Sequence, residues 1–153
     1  MTITPRSLFR TFAVAEAITW TLLIGGLILR ATAGLDVAVS IGGGIHGFVF
    51  LAYGVTAVLV AVNQRWGVGT SLLAIGSAVI PYATIPVELW LARTGRLDGA
   101  WRPAATGDPR DSRVTDRILR VVLARPVVFA AVAAVAVATV FGVLLTVGPP
   151  KLG

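Results

Sequence analysis

Three stretches of this sequence, 37–64, 66–87 and 126–150, contain no Asp, Glu, Lys or Arg over 28, 22 and 25 residues. A membrane-crossing helix needs about 20 mostly apolar residues, because the hydrocarbon core is about 30 Å thick and a helix rises about 1.5 Å per residue. A fourth stretch, 7–29, is apolar apart from Arg10 and Glu16. Arg10 lies near its end, where a long side chain reaches the headgroups, whereas Glu16 lies inside it. The four stretches predict an all-α bundle of four transmembrane helices, at about 9–29, 40–62, 68–91 and 123–147. Soluble helices of this apolarity would need burial on every side, and 153 residues are too few to bury four. The Val-rich runs lack the alternation of a membrane barrel, and Glu16 inside the first stretch argues against a cleaved signal peptide.

Composition agrees. Charged residues make up 13 % of the chain and the mean hydropathy is +0.87, against about 25 % charged in soluble domains. With no Cys and one His, disulfides, thiolate sites and multi-histidine zinc sites are excluded. No metal or cofactor is expected. Hydrolase, phosphate-loop, dinucleotide and metalloprotease motifs are absent from the sequence, so the expectation is a non-enzymatic protein.

Three parts follow: a three-helix core over 6–93, an Arg-rich polar loop over 94–122 and a last helix over 123–148. The loop is expected to be flexible, leading into an amphipathic stretch at 112–123 that Ser112 could cap. Four spans would put the N-terminus, 63–67 and the C-terminus on one side with Arg6, Arg10, Arg65 and Lys151. Arg30, the seven arginines of 93–122 and Arg125 would face the other side. The positive-inside rule then makes the protein multi-pass in the cell membrane with the 93–122 loop cytoplasmic. The net charge of +6 is read as contact with anionic lipid, not nucleic acid. The expected partners are the bilayer and either a second copy or another membrane protein.

Ionisable groups inside a bilayer cost about 2.5–3.5 kcal/mol on insertion scales and turn toward protein or water. Glu16, His46 and Glu88 are such groups. Counting from the expected helix ends, His46 lies about 9 Å and Glu88 about 5 Å from one face, and Glu16 about 10 Å from the other. His46 is therefore expected to meet Glu88, near Arg30. Glu16 is left to Thr19, Thr56, Tyr53 or an opened backbone. It is either a proton or cation site or a neutral, hydrogen-bonded link between helices. Gly43 and Gly47 form a small-xxx-small face for a close helix neighbour. Pro81 and Pro86, flanking Tyr82 and Thr84, break the third helix and free the carbonyls of Ser77 and Tyr82. Such groups need partners in protein or in a wet cavity.

At these residues the chain resembles the bacterial membrane family called domain of unknown function 3817. The likeness rests on Phe9-Arg10, Ala13, Glu16 and Trp20; on Ile45-His46-Gly47, Phe50 and Tyr53; and on Pro81-Tyr82-Ala83-Thr84 with an acid at Glu88. The family pattern has Gly at the position of Ala83 and Asp at that of Glu88. The resemblance covers about 6–93 and implies a small helical membrane domain with no settled activity. It places Glu16, His46 and the 81–88 segment within the family's motif.

Overall fold

The computed structural model describes residues 3–147. Every regular element among them is helical: α1 (Pro5–Ala33), α2 (Asp36–Asn63), α3 (Val68–Gly76), α4 (Thr84–Arg93), α5 (Val114–Ala124) and α6 (Pro126–Val147), with 3-10 turns at Ser77–Val79 and Pro109–Ser112. The expected all-α membrane bundle is what the chain forms, and α1, α2 and α6 are each long and apolar enough to cross a bilayer. Lys151 and Gly148, the latter the end of the expected last segment, lie outside the described residues.

α1 starts at Thr4, whose side chain accepts from the Ser7 N–H while the Ser7 side chain accepts from the Thr4 N–H, a reciprocal cap. It ends at Gly34, which takes φ +66°. There the Gly34 N–H donates to the Arg30 carbonyl and the Leu35 N–H to that of Leu29, the glycine-terminated helix end in which a side chain at Gly34 would be strained. The turn to α2 is therefore two residues, not the ten expected at 30–39. α1 and α2 pack as an antiparallel pair. A Cβ at Gly26 would stand 2.7 Å from the Ala38 carbonyl oxygen, and one at Gly42 would stand 2.6 Å from that of Leu22.

The third apolar stretch is not the single helix expected over 68–91. α3 ends after nine residues, Ile80 is extended, and Tyr82 takes φ +63°, so α4 sets off in a new direction. Side-chain contacts fix that direction. The Tyr53 hydroxyl donates to the Ala74 carbonyl at 2.7 Å, the Trp20 indole N–H to the Ala78 carbonyl at 3.3 Å, and the Tyr82 hydroxyl lies 3.4 Å from the Thr21 hydroxyl. The Thr84 hydroxyl then donates to the Ala13 carbonyl at 3.0 Å, Arg96 accepts from the Trp66 indole at 2.8 Å, and Asp98 stands 3.6 Å from Arg6. From 78 to 98 the chain thus climbs α1 from Trp20 back to Arg6. Segment 68–93 enters the bundle beside Trp66, bends level with the middle of α1, and returns to the end it entered.

The two proline-released carbonyls do find partners. Ser77 O accepts from the Ile80 N–H at 3.3 Å, and Tyr82 O from the Ile85 N–H at 3.2 Å. Both are tighter i→i+3 bonds of the kind that finish helices. The core beside the bend is Phe9, Ala13, Tyr53, Ala57, Val60, Ala74, Ala78, Leu91 and Leu97, all buried. Phe9 meets Tyr53 at 5.6 Å and Trp66 edge-on at 5.8 Å.

The 94–113 segment is a folded cap, not the flexible loop expected. The Trp101 indole donates to Ile3 O at 2.9 Å, and Arg102 donates to Asn63 O at 2.6 Å and Val62 O at 2.7 Å. Val62 O and Asn63 O belong to the last turn of α2, where carbonyls run out of helical donors, and Val62 O also accepts from the Arg65 N–H at 3.2 Å. Ser112 does not cap α5; its hydroxyl donates to Pro109 O, and α5 begins at Arg113 without a side-chain cap. α6 runs back along α2, with Phe129 and Val62 lining one groove and Phe141 against Gly47, and much of its Val-rich surface is exposed.

Candidate functional site

Glu16, Thr19 and His46 form a buried polar group between α1 and α2. Glu16 is fully buried and His46 is 7 % exposed. Glu16 lies three residues from the midpoint of the 29-residue α1, or about 5 Å along its axis. Its Oε1 stands 3.9 Å from His46 Nδ1. The Thr19 hydroxyl donates to the Glu16 backbone carbonyl at 3.0 Å and lies 3.1 Å from the same Nδ1. Once its proton points at the carbonyl, its oxygen can only accept from His46, so the proton of a neutral His46 is assigned to Nδ1. Trp20 stacks on the imidazole at 4.4 Å and Phe50 lies 6.2 Å away. Neither Glu16 carboxyl oxygen has a hydrogen-bond partner among the described residues.

The expected pairing of His46 with Glu88 near Arg30 does not form. The short turn at 34–35 sets Thr19 level with His46, which closes the expected gap to Glu16. Glu88 is buried, but it lies past Thr84 on the returning arm, beyond the level of Ala13 and away from His46. Arg30 pairs with Asp36 at 3.0 Å at the α1–α2 turn. Tyr53 serves the bend, donating to Ala74 O and lying 3.1 Å from the Ser77 hydroxyl. Pro81, Tyr82, Thr84 and Pro86 build the bend and its return. A Cβ at Gly47 would stand 3.0 Å from the Phe141 ring of α6, and one at Gly43 would stand 3.6 Å from Leu23 Cδ1. The tight α1–α2 approach uses Gly26, which faces Ala38, and Gly42, which faces Leu22.

A second polar cluster was not anticipated. Arg65 Nη1 donates to Asp108 at 2.6 Å, and its Nη2 to Asp111 at 2.6 Å and Asp116 at 3.5 Å. Arg102 donates to Asp116 at 2.7 Å and Arg110 to Asp108 at 2.8 Å. Arg65 itself takes φ +52°, an uncommon conformation for a residue with a Cβ. The side-chain hydrogen bond from Arg110, joined by its backbone N–H, holds the Asp108 carboxyl well below the usual carboxylate range. Burial works against the Asp111 anion, but donors from Thr106 and the charge of Arg65 outweigh it and lower its pKa. The cluster fastens the cap to the end of α2. Among the described residues there is no group of three or more His, Cys, Asp or Glu side chains placed to hold a metal.

Three long apolar helices, a returning helical hairpin and an acid–imidazole pair near the middle of α1 define a small helical membrane protein. The chain belongs to the family described as Domain of unknown function (DUF3817), whose pattern matches residues 6–93. It is 39 % identical over 103 residues to a Streptomyces coelicolor protein named "Putative membrane protein SCO5905". That match covers 66 % of this chain and 12 % of the relative, so the chain aligns with only a small part of a longer protein. No solved structure matches the chain.

Proposed function

We propose that the chain is an accessory membrane module, a helical unit that works beside other membrane-embedded protein and performs no catalysis of its own. The observation that carries this reading is that the shared region forms only 12 % of its Streptomyces relative, where it stands within a much longer chain. The sealed polar centre supports it, since Glu16 and His46 are closed off inside one copy. The glycine faces at Gly26, Gly42 and Gly47 are taken up within the chain, so a partner would meet its outer apolar surface. Extraction from native membranes into copolymer nanodiscs, followed by sizing, tests this. A particle holding a second protein or a second copy is expected; a lone monomer overturns the reading.

Arginine placement supports one orientation in the cell membrane. Because segment 68–93 returns, the N-terminal end of α1, 64–67 and the 94–125 region share one end of the bundle. Eleven of the twelve arginines lie there and Arg30 lies at the other. The positive-inside rule makes that end cytoplasmic.

A second reading, a component of proton- or cation-linked transport, is favoured by one observation: the unpartnered carboxyl oxygens of Glu16 near mid-membrane. Buried ionisable groups of this kind mark proton and ion paths. Reconstituted vesicles should then show pH-driven flux that Glu16→Gln abolishes while assembly persists. Flux unchanged by Glu16→Gln removes the reading.

A further inference from the structure

An apolar groove of about 540 Å³ runs between α2, α5 and α6, within the roughly 300–1,000 Å³ range of small-ligand sites. α2 from Phe50 to Val62 forms its floor, and Ile118, Leu119 and Val122 of α5 with Phe129 of α6 form its walls. The twelve rises from Phe50 to Val62 correspond to about 18 Å, close to the roughly 15 Å depth of one leaflet's hydrocarbon. The groove starts under the amphipathic α5 and stops at Ala78, beside the bend of the half-depth hairpin. A polar pocket of about 170 Å³ adjoins it and shares Val62 and Thr115 with it. Arg65, Ser71, Arg110, Arg113 and Asp116 line that pocket. Arg65 and Arg110 are committed to aspartates, but Arg113 has no carboxylate partner among the described residues.

We propose that groove and pocket together bind one phospholipid with an anionic headgroup, an acyl chain lying along α2 and the phosphate beside Arg113. The groove reaches as deep as a single tail of one leaflet. Arg113, the cation of the pocket without a counter-ion among the described residues, stands at the polar end of the groove, where the headgroup would lie. A zwitterionic lipid offers the same tail but carries a compensating cation, so the preference is for net negative charge. The site is independent of whether the module has a protein partner.

The full chain, purified in maltoside micelles doped with phosphatidylglycerol or phosphatidylcholine, tests this by native mass spectrometry. One phosphatidylglycerol should be retained in preference to phosphatidylcholine. Arg113→Ala should weaken that retention about fivefold, the effect of one lost lipid-facing cation, and weaken phosphatidylcholine less, so that the preference between the two lipids narrows. Gly54→Phe should abolish retention of both lipids, because a Cβ at Gly54 meets nothing within 4 Å and points into open groove. Val58→Trp fills the same space if Gly54→Phe does not fold. Free glycerol phosphate should not displace the lipid. Equal retention of the two lipids, retention surviving both groove-filling variants, or displacement by glycerol phosphate overturns the proposal. So does a dimer that forms in place of lipid binding and is lost on filling the groove.

Discussion

Oε1 of Glu16 faces Nδ1 of His46 across 3.9 Å near the middle of α1, and the Thr19 hydroxyl reaches that nitrogen at 3.1 Å. The imidazole is thereby oriented by one neighbour and left open to another, and the acid is held against it without a hydrogen bond of its own. A buried carboxyl without a hydrogen bond is a cost of about 1–3 kcal/mol, and substitution at this position measures it.

Replacing Glu16 with methionine separates structural from functional use. A buried polar group without a hydrogen bond costs about 1–3 kcal/mol, and an apolar side chain of similar volume removes that cost. Glu16→Met should therefore leave the unfolding midpoint in detergent unchanged or raise it. A loss of more than about 2 kcal/mol would identify Glu16 as a link between helices.

Thr19→Val removes the oxygen that meets His46 Nδ1 and keeps the shape of the side chain. It should destabilise the bundle by about 1–3 kcal/mol, the cost of an orphaned buried group. Thr19→Ser, which keeps the hydroxyl, should restore most of the loss in the same denaturation measurement.

Two neighbouring glycines should behave oppositely. Gly42→Ala would push a methyl to 2.6 Å from the Leu22 carbonyl oxygen, where backbone cannot yield, whereas Gly43→Ala meets the mobile end of Leu23 at 3.6 Å. Gly42→Ala should cost about 1–3 kcal/mol through overpacking. Gly43→Ala should stay near wild type in thermal melts.

These contrasts show what the residues did and did not reveal. The long apolar stretches, three free of charge and one broken only by Arg10 and Glu16, marked the membrane-embedded helices, because length with little charge is a direct demand of hydrocarbon. Pro81 and Pro86 marked the break, because a missing N–H is visible in one residue. The depth of Glu16 relative to His46 was not legible while the α1–α2 turn was counted from its charged residues. Gly34, the helix terminator, sets that register. The return of 68–93 depends on Trp20, Tyr53 and Thr84 each finding a distant carbonyl. The folded cap depends on Arg65 meeting aspartates 43 to 51 residues away, and no local pattern announces either.

Cysteine mapping on this cysteine-free chain distinguishes a returning hairpin from a fourth crossing. Gln64→Cys and Ala105→Cys should react with an impermeant maleimide from the same face, and Ala33→Cys from the other. A crossing at 68–91 would instead group Ala105 with Ala33.

The cap should resist mild acid. Asp108 and Asp111 have folded pKa values below the unfolded reference of about 3.9. Their stabilising contribution is thus complete above that value and fades as pH falls through the folded values. A spin label at Ala105→Cys should remain immobilised from about pH 7 to 5 and gain mobility only below about pH 4. Loosening between pH 7 and 5 would contradict the ion-pair account.

The hairpin of α3 and α4 also dictates an order of assembly. Its arms are nine and ten residues long, too short to traverse lipid, and the carbonyls at its bend are covered by the Trp20 indole and the Tyr53 hydroxyl. Those two groups come from helices made earlier on the ribosome, so the slot exists before the wedge that fills it emerges. A circular permutant that synthesises 68–93 ahead of α1 would deliver stub helices with bare carbonyls to the bilayer, and nothing would yet be there to receive them.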